Sequence, residues 1–251
     1  MSIRIYSMAL LVLLVGGWEL FCRVSKISEL IAPAPSAILE TLWGGLTVGY
    51  LWPHIWVTTI EVVLGLAAGC GIGFLFGVLL GETEFLRRLL YPYILASQVI
   101  PKLALGPLFV IWFGAGVLPT VVITALICFF PLLENSLTGV QHMDPQKREL
   151  FRMLGASRLQ TLIRLKIPAG LPVILAGVRV AVVLSFIGAV VGEFIGANEG
   201  LGAMIIGAQG MMDTTLMFAI FIVITIEGMV FYQATLMTER WLLRRHRKGT
   251  D

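Results

Sequence analysis

Six ionisable side chains stand inside or at the edges of long apolar runs of this sequence: Glu61, Lys102, Glu134, Arg179, Glu193 and Glu227. Charge in hydrocarbon is costly, so each such group needs a partner or a water-lined surface to face. Two kinds of chemistry suit them. Paired across helices, they hold a bundle together. Spaced along a path, they guide a polar solute. The residues alone leave both roles open. Patterns for covalent or hydrolytic chemistry are missing. His54, His142 and His246 lie far apart, and there is no HExxH pair and no GxSxG elbow. No GxxxxGK[ST] loop occurs, which removes the familiar phosphate cradle. Cys22, Cys70 and Cys128 are each in or beside an apolar run, so no disulfide framework and no CxxC metal site is expected. An enzyme is disfavoured, as is a membrane scaffold with a single reactive site.

The elements that position these groups must be membrane spans. Hydrophobic residues make up 58% of the 251-residue chain and charged residues 13%, against about 25% charged in a soluble domain. A net charge of +3 is too small to imply nucleic-acid binding. A span takes about 20 apolar residues, which predicts spans near 5–22, 55–80, 91–113, 119–140, 172–195 and 214–236. The first is expected to stay uncleaved, because Trp18, Glu19, Leu20 and Phe21 stand where a signal peptidase needs small residues. Pro33 and Pro35 stop any helix between the first two spans, and Ser36 is expected to cap the next one. Residues 37–52, with Trp43 and Trp52, suit a helix at the membrane surface. The second span carries Gly65, Gly69, Gly71, Gly73, Gly77 and Gly81, which suits close helix packing. Pro101, Gly106 and Pro107 interrupt the third, beside Gln98 and Lys102. Broken backbone in a membrane needs protein or a water-filled cavity around it, so a translocation path is expected near this break. Gln98, Lys102, Asn135, Arg179 and Glu193 are the candidates to line it.

Basic residues set the expected orientation. Arg87, Arg88, Lys147, Arg148, Arg152, Arg158, Arg164, Lys166 and the tail residues Arg240, Arg244, Arg245, Arg247 and Lys248 fall on one side, with Arg4. Arg23 and Lys26 fall on the other. The positive-inside rule then puts both termini in the cytoplasm. The chain divides into a first span with its connection (1–54), a transmembrane domain (55–236) with a loop at 141–171, and a basic tail (237–251). In that loop, Gln146 to Leu154 reads as a helix with Leu150, Met153 and Leu154 on one side. Gly155 breaks it, and Ser157 can cap a second helix carrying Leu159, Leu162, Ile163 and Leu165. Pro168 and Pro172 mark the start of the fifth span. Such helices either lie on anionic lipid or insert into a groove on a cytoplasmic protein. Composition leaves both open.

The loop resembles the cytoplasmic motif of permeases of ATP-binding-cassette importers: Glu-Ala-Ala, three residues, Gly, nine residues, Ile, one residue, Leu-Pro. Here the matching residues are Glu149–Leu150–Phe151, Gly155, Leu165 and Ile167–Pro168. The runs Ile100–Leu108 and Ile111–Gly116, Phe129–Phe130–Pro131 ahead of Asn135 and Gly139, Glu193 with Gly200–Leu201–Gly202, and Ala34–Pro35–Ser36 are similar to the branch handling sulfonates, taurine and nitrate. One departure is Thr58–Thr59–Ile60–Glu61, where a basic residue is expected after the threonine pair. The resemblance implies an all-α polytopic bundle of about six spans with the type I (MetI-like) importer permease fold, in a bacterial inner membrane. It implies a second permease copy, an extracytoplasmic solute-binding protein and two ATP-binding subunits. Those subunits, not this chain, would hold ATP and magnesium; no cofactor is implied here. Glu149, Leu150, Phe151, Gly155, Ala156, Ser157, Leu165, Ile167 and Pro168 would form the ATPase-coupling element. Pyrimidine or riboflavin-like vitamin precursors are the alternative cargo within the family. A self-sufficient transporter or channel, with a proton relay through Glu61, Glu134 or Glu227, is the alternative outside it.

Overall fold

The computed structural model describes residues 2–25 and 28–247. Lys26 and Lys248, used above for orientation, lie outside them. The described residues contain helices and no strands. In chain order the helices are α1 (Ser2–Val24), α2 (Pro35–Val48), α3 (Leu51–Glu82), α4 (Glu84–Val99), α5 (Gly106–Phe113), α6 (Val117–Gln141), α7 (Pro145–Met153), α8 (Arg158–Thr161), α9 (Ile167–Gly196), α10 (Leu201–Gly210) and α11 (Thr214–Arg247). A 3-10 turn, Lys102–Leu105, precedes α5, and a π turn, Leu162–Lys166, joins α8 to α9.

Five helical segments are long and apolar enough to cross a membrane unaided: Ile5–Val24, Leu51–Glu82, Val117–Gln141, Arg158–Gly196 and Thr214–Arg244. The expected third span is instead two pieces, α4 and the Lys102–Phe113 segment, bent by 79°. Proline chemistry explains the break. Pro101 disfavours helical backbone at the residue before it, and Ile100 is extended at φ −67, ψ 123. Pro107, by contrast, sits in the first turn of α5, where its missing N–H costs nothing.

Helix pairing requires this bent segment to cross. Gly65 of α3 meets Thr124 of α6, Gly69 meets Cys128, Gly77 meets Ser136 and Gly81 meets Val140. The numbers rise together, so α3 and α6 run parallel. The chain between them must return through the bilayer, and α4–α5 is the segment available. Along α9 the partners run the other way, from Gly170 against Gly139 to Gly192 against Thr120. Alternation then puts Ser2, Arg247 and the 141–171 loop on one side.

The core is the α3–α6–α9 trio. Small residues let these backbones touch, which is how helices gain contact without a hydrophobic drive. A Cβ at Gly77 would lie 2.6 Å from that of Ser136, and one at Gly69 2.9 Å from that of Cys128. Gly71 faces the other way into open space and takes no part. The first span is peripheral, 6% buried. It is held where Trp18 meets Phe218 at 5.7 Å and where Glu19 accepts from Ser36 N–H at 3.0 Å and its hydroxyl at 2.8 Å. Ser36 therefore does not cap α2. Ala34 holds the cap position, with Pro35 in the first turn, and the Ser36 hydroxyl serves Glu19. The basic tail continues α11 as helix to Arg247.

Candidate functional site

The loop side carries a built structure. Asp144 caps α7 by accepting from Gln146 N–H at 2.9 Å. Gly155 ends it at φ +69, in the left-handed region that glycine enters freely. Gly155 N–H bonds to Arg152 O and Ala156 N–H to Phe151 O, the paired bonds of a Schellman cap. Ser157 and Gln160 then form a capping box for α8. The expected second helix and its cap are present. Its end is not. α8 runs through the π turn into α9, so residues 158–196 form one helix into the bundle. Pro168, read from sequence as a boundary, lies inside it. Proline lacks an N–H and clashes with the carbonyl four residues back, here Arg164. The wider π turn over Leu162–Lys166 accommodates that clash without a break.

On this rigid base, Glu149, Leu150, Met153, Leu154 and Leu159 are exposed, with Met153 at 74%. Phe151, Ala156, Leu165, Ile167 and Pro168 are half-buried. Lys166 ties the loop to the end of α3 through Glu82 at 2.5 Å. Between the loop and the ends of α3, α4 and α6 lies a cavity of about 1000 Å³ whose lining includes Arg87, Arg148, Arg152, Arg158 and Lys166.

The path candidates separate. Gln98 and Lys102 are half-buried on either side of the 79° break. No ion pair engages Lys102 among the described residues. Asn135 spends its amide on Pro131 O at 2.7 Å and packs against Gly177. Arg179 pairs with Glu239 of α11 at 3.2 Å. Glu193 is buried, with Oε1 accepting from the Thr58 hydroxyl at 2.6 Å and Oε2 accepting from Gly202 N–H. The Thr58 oxygen in turn accepts from Leu201 N–H at 2.8 Å, and His54 bonds to Gly200 at 3.1 Å. Thr58 and His54 of α3 thus join Glu193 in holding the turn before α10. Glu134 lies beside the Tyr91 hydroxyl of α4. Glu227 accepts from the Thr59 hydroxyl. The sequence marked the acids and missed Thr58, Thr59, Glu82 and Glu239, whose partners are far away in the chain. Among the described residues no group of His, Cys, Asp and Glu is arranged to hold a metal ion.

The chain has known relatives. Residues 71–248 match the family model described as binding-protein-dependent transport system inner membrane component. The chain is similar to the formylaminopyrimidine transport permease protein ThiX of Halalkalibacterium halodurans, at 34% identity over 92% of each chain. It is similar to the riboflavin transport system permease protein RibX of Chloroflexus aurantiacus, at 34% over 93% of this chain and 87% of the relative. It is similar to the taurine transport system permease protein TauC of Escherichia coli, at 32% over 88% of this chain and 82% of the relative.

Proposed function

Because the chain belongs to the family of binding-protein-dependent transport system inner membrane components, we propose that it conducts a small anionic solute inward and takes its drive through the Glu149–Pro168 element. It is a permease subunit of an ATP-binding-cassette importer, and it carries no enzymatic role of its own. The observation that carries the coupling reading is the uninterrupted helix from Arg158 to Gly196. An exposed apolar ridge on α7 is joined to that helix across the capped Leu154–Ser157 turn, so a push at the loop reaches the core trio along one continuous helix. Two ATP-binding subunits on the loop side, a second copy of this chain beside it and a solute-binding protein opposite complete the assembly. The loop side, with both termini, is then the cytoplasmic face of an inner membrane.

Reconstitution of the full transporter tests this. Glu149→Arg and Gly155→Pro are expected to leave the subunit in the membrane while uptake falls at least about tenfold against ATP hydrolysed, the loss that about 1.4 kcal/mol of coupling represents. Wild-type uptake per ATP in both variants would sink the assignment.

For the cargo, a half-buried lysine without a carboxylate partner beside the break favours an anion, and the taurine relative supports that reading. The formylaminopyrimidine and riboflavin relatives support a second reading, a vitamin precursor. Binding of taurine, an alkanesulfonate, formylaminopyrimidine and riboflavin to the cognate solute-binding protein separates the two.

A further inference from the structure

Glu61 is 0% exposed and Glu193 2%, at the depth where α3, α6 and α9 meet. The two oxygens of Glu193 are engaged by Thr58 and Gly202. Glu61 lies one helical turn beyond Thr58 on the same face of α3. Its polar neighbours are the Glu193 carboxyl and the Thr120 hydroxyl. Yet neither Glu61 oxygen accepts a hydrogen bond from any of the described residues. The groups around it are acids, one histidine, hydroxyls and backbone N–H groups. From α9 comes Glu193; from α11 comes Glu227, within electrostatic reach of Glu193 and bonded to Thr59. From α3 comes His54, one turn above Thr58 and engaged with Gly200. α6 presents Thr120 and Thr124, and α10 presents backbone N–H groups. No Lys or Arg is paired with these three acids among the described residues.

Ionised, the two carboxylates would repel each other away from water, and Glu61 would carry its charge with no donor to offset its desolvation. One proton removes both. We propose that Glu61 and Glu193 are a proton-binding site: a single proton is shared between the two carboxyls, with Glu61 O–H donating to Glu193. This shared proton clamps the 197–200 turn and the start of α10 to α3. Taking the proton to water breaks the O–H···O bond and leaves two anions in contact, so the clamp opens. The reading does not depend on what the permease carries.

The purified full-length chain in lipid nanodiscs tests it. An infrared difference spectrum, wild type minus Glu61→Gln, is expected to contain the carbonyl stretch of a protonated carboxyl, shifting downward in D2O. Between about pH 6 and about pH 9, above the ordinary carboxylate range, the wild-type unfolding midpoint is expected to drop by roughly 5–10 °C. Glu61→Gln keeps a donor to Glu193, and Glu61→Arg replaces the proton with a fixed charge; both should lose the alkaline drop. Three results would overturn the proposal: no protonated-carboxyl band in the difference spectrum, an alkaline drop that persists in both variants, or a wild-type drop cancelled by adding sodium or potassium. The last would assign a metal cation in place of the proton.

Discussion

A methyl group at Gly73 has nowhere to go, because its Cβ would fall on the Phe129 carbonyl of α6. The same addition at Gly71 meets nothing within 4 Å. Gly73→Ala is therefore expected to cost about 1–3 kcal/mol, read as a lower unfolding midpoint in detergent, while Gly71→Ala leaves it unchanged. Equal effects would mean that the glycine ladder does not set the α3–α6 distance. Thr58 makes a different kind of contact. Its hydroxyl donates to Glu193 and accepts from Leu201 N–H. Thr58→Val keeps the volume and orphans both partners, so a loss of about 1–3 kcal/mol is expected. Hydrogen exchange at Leu201 should speed up with it. Lys102→Met belongs at this scale too. If the free lysine at the break handles an anion, uptake should fall about tenfold or more while ATPase subunits still co-purify, since a lost charge-assisted bond is worth about 1.5–3 kcal/mol.

At the scale of elements, α7 is a short helix kept in place by its ends. Asp144 caps one end and Gly155 the other, and Leu150, Met153 and Leu154 between them are exposed. Leu150→Lys with Met153→Lys should leave the permease folded and stop the ATP-binding subunits co-purifying, which a pull-down checks. Retention of both subunits would move the docking surface elsewhere. Much of this loop could be read from sequence, because its signals are local: a cap, a left-handed glycine and a capping box each sit within a few residues. The continuity from α8 into α9 could not. It depends on a π turn absorbing Pro168, and the sequence shows only the proline. The third span illustrates the same limit. Pro101 announced a break, but the 79° bend depends on how α5 seats against α6 and α9. The acids were visible as anomalies in apolar runs. Their partners Thr58 and Thr59 were not, nor was Glu239, the partner of Arg179, since a polar residue carries no mark of what it faces.

For the whole molecule, orientation is the property most open to a direct check. Arg152 is exposed on the loop side, and Asn198 is exposed at the far end of α9. Single cysteines at these positions, with Cys22, Cys70 and Cys128 replaced, should react with a membrane-impermeant maleimide from opposite sides. Asn198 should react from outside intact cells and Arg152 only after lysis. The composition and the count of spans were legible because they follow from hydrophobic length alone. The order of packing was not, since the most extensive pairing joins α3 to α6, which the bent α4–α5 segment separates in sequence.

That order has a consequence for biosynthesis. α3 pairs along its length with α6, a helix made only after α4 and α5 have been threaded through the bilayer. Until α6 leaves the ribosome, the glycine face of α3 has no mate and must wait in the insertion machinery or in lipid. A nascent chain arrested after Phe113 should therefore remain bound to the insertase, and one arrested after Gln141 should be released from it.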